Sequence, residues 1–260
     1  EQRINEDYLR ILRFFRFFAY YGEGRPDAAA LKACAKLKEG LDYVSAERIW
    51  SELKKIFSAP NPWRSVLWMR QTGVLNFILP QSDKWGIDGL GALITAQQVF
   101  NFPADPLLRL QCVIPPHKIR ILEVVKLLKL SNREKKRLLD WGNFPQICEQ
   151  CNALDFKKLL YVEGSGAALD YLTHKLAAAY LKYPKGSAEY QIIENYENLL
   201  QLARNWQAPQ FPIQADDLIQ LGYQQGKDLG AMLQKLQKEW TASGFSKSKQ
   251  QLLQPLRMAQ

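Results

Sequence analysis

Residues 3–16 read RINEDYLRILRFFR, and this stretch shows the helical pattern of the chain most clearly. Its apolar residues recur three or four positions apart, as they do on one face of an α-helix, and arginines follow at positions 10, 13 and 16. The spacing predicts one helix over residues 6–22 with an aromatic-rich buried face. On such a helix Asp7 lies one turn before Arg10.

The same periodicity continues through the 260 residues, and no alternating apolar run is long enough for a sheet. We therefore predict an all-α protein whose helices form an elongated or curved assembly. The final segment, residues 247–260, is polar and is expected to fray. Ser45 and Ser131 are expected to cap the helices that follow them.

The net charge of +9 favours an anionic partner, either a nucleic acid or a membrane surface. No run of 18 apolar residues and no signal-peptide pattern is visible, so we expect no membrane partner and a cytoplasmic protein. Positive charge concentrates between residues 117 and 137, which is expected either to bind RNA or to be a solvated helix face. The basic residues of this segment are Lys118, Arg120, Lys126, Lys129, Arg133, Lys135, Lys136 and Arg137.

Metal or redox chemistry is not favoured by the four cysteines and two histidines. Cys148 and Cys151 form a single C-x-x-C, and His117 and His174 are isolated in sequence. A zinc site needs a second pair of cysteines or two spaced histidines. The sequence thus favours ordinary thiols and no metal site.

Asp7 and Arg10 together could read the edge of a nucleobase. Cytosine and adenine both present an exocyclic amine beside an unprotonated ring nitrogen. A carboxylate only accepts hydrogen bonds and a guanidinium only donates them, so Asp7 could accept from the amine while Arg10 donates to the ring nitrogen. The alternative is an ordinary ion pair on a solvated helix, worth about 0.2–0.5 kcal/mol.

Longer motifs favour the base-reading alternative. Residues 3–17 resemble R-I-x-E-D-x-L-R-I-L-R-x-x-R-F, the nucleotide-selecting helix of class II tRNA nucleotidyltransferases, the family of bacterial CCA-adding enzymes and poly(A) polymerases. Residues 44–56 are similar to the neck motif I-S-A-E-R-I-x-x-E-L-x-K of that family, and residues 68–80 to its M-x-x-T-G-V-L-x-x-L-P. Residues 211–240 are similar to the tail of one bacterial branch.

The resemblance implies a neck at residues 1–60, a helical body at 61–142 and a helical tail at 143–260 that binds tRNA. It also implies that the chain belongs to an enzyme that adds CCA to tRNA 3′ ends from CTP and ATP. Its nucleotide-binding residues would be Asp7, Arg10 and Arg13. Structural support for these three would come from Glu6, Glu47 and Arg48.

The Gly-Gly-x-Val-Arg-Asp and Asp-x-Asp strings that hold Mg²⁺ in this family do not occur in the sequence. We therefore expect catalytic residues and Mg²⁺ ligands only in a longer protein, and we expect this chain alone not to add nucleotides. Two alternatives remain open. The protein could be a poly(A) polymerase of the same family, or a non-enzymatic helical RNA-binding module.

Overall fold

The fold was analysed in a computed structural model that describes residues 1–83 and 85–258, and side chains up to residue 256. Within these residues there is no strand, and the prediction of an all-α protein is confirmed. Two short 3-10 helices span Lys38–Tyr43 and Pro80–Ser82. The α-helices are α1 (Gln2–Glu6), α2 (Arg10–Tyr21), α3 (Ala28–Leu37), α4 (Ala46–Ser58), α5 (Trp63–Gln71), α6 (Val74–Ile78), α7 (Asp88–Val99), α8 (Pro106–Gln111), α9 (Lys118–Leu127), α10 (Asn132–Asn143), α11 (Ala153–Glu163), α12 (Ser165–Lys182), α13 (Tyr190–Arg204), α14 (Ala215–Ile219), α15 (Lys227–Ala242) and α16 (Lys249–Met258).

The predicted helix over residues 6–22 is wrong in one respect, because the structure breaks it between α1 and α2. The backbone of Asp7 is extended, with φ −154° and ψ 101°. Its side chain accepts a hydrogen bond from the backbone N–H of Leu9. Aspartate competes for backbone donors in this way, which favours it where a helix begins and disfavours it inside one. Asp7 is therefore placed just before the helix that carries Arg10.

Buried side chains form three groups along the chain. The first core contains residues from Leu9 to Trp141 together with Ala177 of α12, and it packs α2 against α4 and α5. The second core runs from Phe144 to Ala203 and is built mainly by α12 and α13. The third core runs from Ile213 to Leu253 and joins α14, α15 and α16, with Tyr161 of α11 packed against it. The division into neck, body and tail at residues 60 and 142 stays a prediction.

A buried arginine holds the end of α4 in the first core. Arg109 donates from Nη1 to the backbone oxygens of Phe57 and Ala59, both at 2.6 Å, and from Nε to Gln97. The last carbonyl groups of a helix have no partner within the helix, and a cation there also interacts favourably with the helix dipole. Burial lowers the pKa of Arg109. The position of α4 is thus fixed from its carboxyl end.

Helix capping agrees with the sequence at one serine and disagrees at the other. Ser131 and Glu134 form the expected reciprocal capping box at the start of α10. Ser45 precedes α4, but its side chain makes no capping hydrogen bond. The expectation of a frayed end is wrong where α16 is described, because this helix buries Leu252 and Leu253 in the third core, while residues 259–260 lie outside the described residues. Leu256 packs against the same core, so three leucines dock this helix.

Candidate nucleotide-binding site and nucleic-acid interface

Asp7 lies at the start of the helical turn that leads into α2, with part of its carboxylate open to solvent. Oδ1 accepts from the backbone nitrogen of Leu9 at 3.2 Å and from Nη2 of Arg48 at 3.3 Å. Nη1 of Arg13 lies 3.7 Å from Oδ2, and the Asp7 side chain is 26% exposed. Oδ1 therefore has both lone pairs used, while Oδ2 still has room for a hydrogen-bond donor.

Arg10 is oriented by groups on α1 and makes no side-chain bond to Asp7. Its Nη1 donates to the carbonyl of Arg3 at 2.8 Å and to Glu6 at 2.9 Å. Its side chain is 39% exposed. In the described part of the chain its Nε and Nη2 make no hydrogen bond, so three N–H donors remain for another molecule. The structure therefore brings Asp7 and Arg10 close along the backbone, where the amide of Arg10 donates to the carbonyl of Asp7.

The two residues of the neck motif that were predicted to support the site have separate partners. Arg48, on α4, reaches Asp7, as described above. Glu47 is turned toward Lys129, with 3.0 Å between Oε1 and Nζ, and so contributes to the contact between α4 and the loop after α9. A hydrogen bond from its own backbone and one from Lys129 lower the pKa of Glu47. Arg48 is thus the residue of this pair that contacts Asp7.

Glu52 is a supporting residue that the sequence analysis missed. Its side chain is 4% exposed and lies 2.9 Å from Nη1 of Arg16 and 2.9 Å from Nζ of Lys55. The bridge to Arg16 ties α4 to α2, which carries Arg10. A sequence signal was present, because Glu52 falls on the apolar face of α4, three residues after Ile49 and four before Ile56. A carboxylate at such a position needs a buried cationic partner.

Tyr8 fills the space between the site and the first 3-10 helix. A Cβ atom added to Gly40 would lie 2.0 Å from Cδ1 of the Tyr8 ring, so only glycine permits this approach. The ring of Tyr43 lies 6.1 Å from that of Tyr8 and is largely exposed. Tyr8 therefore anchors the break between α1 and α2 against the residues that follow α3.

The eight basic residues predicted to bind RNA fall into two classes. Half of them are already paired with carboxylates of this chain. The pairs are Arg120 with Glu123, Lys129 with Glu47, Lys136 with Asp140, and Arg137 with Asp105 and Asp170. The other half make no ion pair in the described part of the chain, and they are Lys118, Lys126, Arg133 and Lys135.

Arg137 differs from the prediction that it binds RNA. Its Nε and Nη2 donate to the two carboxylate oxygens of Asp170 at 2.8 and 2.7 Å, and Nη1 lies 2.7 Å from Asp105. Burial acts to lower the pKa of Arg137, but the hydrogen bonds and charges of the two aspartates outweigh it and raise that pKa. This guanidinium joins α10 to α8 and α12, and it has little capacity left for a phosphate.

Asp170 extends this pairing into a chain of buried polar groups. Nε2 of Gln111 donates to Asp170 at 2.8 Å, and Oε1 of Gln111 lies 2.8 Å from Nε2 of His174. Nδ1 of His174 lies 3.7 Å from the sulfur of Cys112. A cavity of about 530 Å³ adjoins this network, and its lining contains none of the residues predicted to bind a nucleotide. The network is therefore a structural element, separate from the Asp7 site.

Among the described residues, no helix has the length and apolar character needed to span a membrane. No group of three or more histidine, cysteine, aspartate or glutamate side chains in the same residues could hold a metal ion.

Comparisons with known proteins agree with the sequence motifs. A family model described as the probable RNA- and SrmB-binding site of polymerase A matches residues 25–85. The mitochondrial CCA tRNA nucleotidyltransferase 1 of Mus musculus is 30% identical over 97% of this chain, and that of Homo sapiens is 28% identical over 97%. The chain spans 56% of the length of each of these relatives.

Solved structures share the fold. A CCA-adding enzyme in complex with ATP superposes with a TM-score of 0.57 at 19% identity, over 98% of this chain and 61% of that one. The Thermotoga maritima CCA-adding enzyme in complex with tRNA gives 0.55 at 18% identity, over 98% of this chain and 62% of that one. The nucleotide-selecting and neck motifs, the family model and the relatives agree, and the chain belongs to the class II tRNA nucleotidyltransferase family of CCA-adding enzymes and poly(A) polymerases.

Proposed function

We propose that this chain supplies base selection and tRNA binding to a nucleotidyltransferase that adds CCA to tRNA 3′ ends from CTP and ATP. Relatives along nearly the whole chain are named CCA tRNA nucleotidyltransferases. Structures of the same fold are complexes with ATP, with CTP and with tRNA. These proteins give the substrate classes, and the residues of this chain give the way in which a base is chosen.

The observation that carries the proposal is the unused hydrogen-bonding capacity at the start of α2. Oδ2 of Asp7 can accept one more hydrogen bond, and three N–H groups of Arg10 are unpaired in the described part of the chain. An acceptor beside a donor matches the amine and ring nitrogen of cytosine and adenine. Guanine and uracil present a carbonyl beside an N–H. They would place an acceptor opposite Asp7 and a donor opposite Arg10, so neither hydrogen bond could form.

This mismatch gives strong selection because polar groups left unpaired in a closed site are costly. A site that hydrogen-bonds its substrate can reject an analogue without the matching group by a factor of about 10⁴–10⁵. The fixed positions of both side chains strengthen the effect. Arg48 and Arg13 hold Asp7 from one side, and Glu6 holds Arg10 from the other.

Phosphoryl transfer in such an enzyme would use Mg²⁺ to neutralise charge on the triphosphate. Among the described residues no three histidine, cysteine, aspartate or glutamate side chains converge, and the sequence contains neither of the two strings that hold Mg²⁺ in this family. We therefore assign Mg²⁺ and the catalytic carboxylates to other parts of a complete enzyme. The role of this chain is to bind and orient the base and the RNA.

For tRNA, we propose that the contact surface includes the unpaired basic residues of α9 and α10. Double-helical RNA is recognised mostly through its shape and backbone, which suits lysine and arginine side chains without a sequence code. Lys118, Lys126 and Arg133 are exposed and Lys135 is half-buried, and each is without a carboxylate partner in the described residues.

The cellular location of the protein stays a prediction. The sequence predicts the cytoplasm, whereas the relatives are named as mitochondrial proteins.

A poly(A) polymerase of the same family is the second candidate, favoured by the family model named for polymerase A. The same base-reading pair would serve a poly(A) polymerase, because the pair can hydrogen-bond to adenine as well as to cytosine. The two candidate functions can be distinguished by their reaction products. A CCA-adding enzyme incorporates two cytidines and one adenosine on tRNA, whereas a poly(A) polymerase extends RNA with ATP alone.

The proposal is tested by base discrimination in the complete enzyme that contains this chain. We expect the Asp7→Ala variant to relax the choice among CTP, ATP, UTP and GTP in single-turnover incorporation assays. Asp228→Ala, an exposed carboxylate on α15, is the matched control and should leave discrimination unchanged. Unaltered discrimination in Asp7→Ala would refute base reading. Binding of tRNA without nucleotide incorporation under any condition would favour the non-enzymatic module.

A further inference from the structure

Cys148 and Cys151 are the first and last residues of a hydrogen-bonded turn. The backbone N–H of Cys151 donates to the carbonyl of Cys148 at 3.1 Å. A four-residue turn of this kind brings its end Cα atoms within about 7 Å, and disulfides bridge Cα atoms about 4.4–6.8 Å apart. The backbone therefore already has the separation that a disulfide requires.

The turn is held against the second core rather than projecting freely. Nδ2 of Asn195, on α13, donates to the carbonyl of Glu149 at 2.8 Å and to that of Cys151 at 3.5 Å. Asn152, the next residue, caps α11 through the backbone N–H of Asp155. The middle and the end of the turn are thus fixed, and the backbone hydrogen bond from Cys151 to Cys148 keeps the two cysteines near each other.

The four cysteines differ in their access to solvent. Cys148 is exposed and Cys151 is half-buried, whereas Cys34 and Cys112 are buried. Burial raises the pKa of Cys34 to about 11, so it is a poor nucleophile. Burial and then the neighbouring Cys148 raise the pKa of Cys151, which agrees with two thiols lying side by side. Cys148 is therefore the thiol that a solution reagent reaches first.

We propose that Cys148 and Cys151 form a reversible intrachain disulfide by exchange with a low-molecular-weight disulfide of the glutathione type. The Cys148 thiolate attacks one sulfur of the reagent, forms a mixed disulfide and releases one thiolate. Cys151 loses its proton to solvent and attacks the Cys148 sulfur, which releases the second thiolate. The two cysteines are oxidised by two electrons in total, and one reagent disulfide is reduced to two thiols.

The product would lock the turn between α10 and α11. Cys151 packs against the second core, and Asn152 caps α11, so the crosslink would fix the backbone immediately before that helix. The site responds to the thiol–disulfide balance of its surroundings, because the equilibrium depends on the reduction potential of the pair against that of the reagent. This inference is independent of the proposed nucleotide site.

The experiment incubates the native chain in buffers of graded oxidised to reduced glutathione, blocks free thiols with N-ethylmaleimide, and maps peptides by mass spectrometry. We expect a single intrapeptide link between Cys148 and Cys151, lighter by two hydrogens, which reverses fully in excess reduced glutathione. Cys34 and Cys112 should remain free in the same samples and so provide internal controls.

Two variants separate the steps. Cys151→Ser should accumulate the Cys148–glutathione mixed disulfide, because the resolving thiol is missing. Cys148→Ser should lose the intrapeptide link completely and leave Cys151 largely unmodified. The proposal is overturned if the wild-type chain keeps both thiols free in the most oxidising buffer, or if its mixed disulfide persists without closing as in Cys151→Ser.

Discussion

His174 Nε2 lies 2.8 Å from Oε1 of Gln111, and this contact fixes the tautomer of a buried imidazole. Asp170 accepts from Arg137 and only accepts, so the amide nitrogen of Gln111 must face it and the amide oxygen must face His174. Nε2 therefore carries the proton. Nδ1 is left unprotonated, 3.7 Å from the sulfur of Cys112.

The first prediction concerns stability at acidic pH. Burial, followed by the positive charge of Arg137, lowers the pKa of His174 from 6.5 to about 4. The unfolded chain binds this proton at a higher pH than the folded chain, so stability is complete above pH 6.5 and falls as the pH decreases toward 4. The expected loss is at most about 3 kcal/mol.

Urea denaturation between pH 4 and pH 7 measures this effect. The His174→Gln variant keeps a donor toward Gln111 but does not titrate, so its stability should depend less steeply on pH. His117→Gln, at an exposed histidine, serves as the control and should follow the wild type. Equal slopes for the His174 variant and the wild type would show that His174 is not held neutral.

A second prediction is that Arg137→Ala destabilises the protein. Asp170 is only 6% exposed, and the substitution would leave its charge with a single neutral donor, Gln111. Removing one partner of a buried ion pair costs about 3–5 kcal/mol, and we expect about 3 because Arg137 is partly exposed. Chemical denaturation provides the measurement. Arg133→Ala, one turn earlier on α10 and exposed, should change stability by less than about 0.5 kcal/mol.

The close approach of Gly40 to Tyr8 gives a third prediction. In Gly40→Ala the new methyl group would overlap the Tyr8 ring, which must move together with the adjacent Asp7. We expect a loss of about 1–3 kcal/mol in stability and weaker discrimination between CTP and UTP in the complete enzyme. Gly230→Ala, on α15 with open space around it, should instead stabilise by about 0.5–1 kcal/mol. Undiminished discrimination in Gly40→Ala would argue against a role of Tyr8 in placing Asp7.

The fourth prediction distinguishes free from paired basic residues in tRNA binding. Alanine at Lys126 or Arg133 should weaken binding and lower the slope of log affinity against log salt by about 0.7–0.9 for each lost phosphate contact. Lys136→Ala is the control, since its ammonium already pairs with Asp140. Filter binding at several salt concentrations measures the slope. If the Lys136 variant loses as much as the others, pairing within the chain does not predict RNA contact.

Local pattern was enough to predict the helices, since α2 buries Ile11, Leu12 and Phe15 as its apolar spacing requires. It was not enough at Asp7, where one side chain competes for backbone donors and interrupts a helix that periodicity alone would continue. The same carboxylate also accepts from Arg48, which lies 41 positions away in the sequence. The periodicity of apolar residues does not predict a contact between residues so far apart in the sequence.

The basic residues between 117 and 137 also show what the sequence alone could not predict. Arg133 and Arg137 are one turn apart on α10 and look equivalent in sequence. Arg133 is exposed, while Arg137 is partly exposed and pairs with Asp105, just before α8, and with Asp170 on α12. Charge patterning located the cluster, but only the tertiary structure shows which cations are still available.

The three separate cores affect how the molecule should melt. Among the described residues the third core has seven buried apolar side chains, and it meets the rest of the chain mainly through α11, so most of its contacts are internal. Segments with few contacts to the remainder open at lower free energies than the whole. Calorimetry should accordingly record more than one endotherm, and hydrogen exchange should be fastest in residues 213–253.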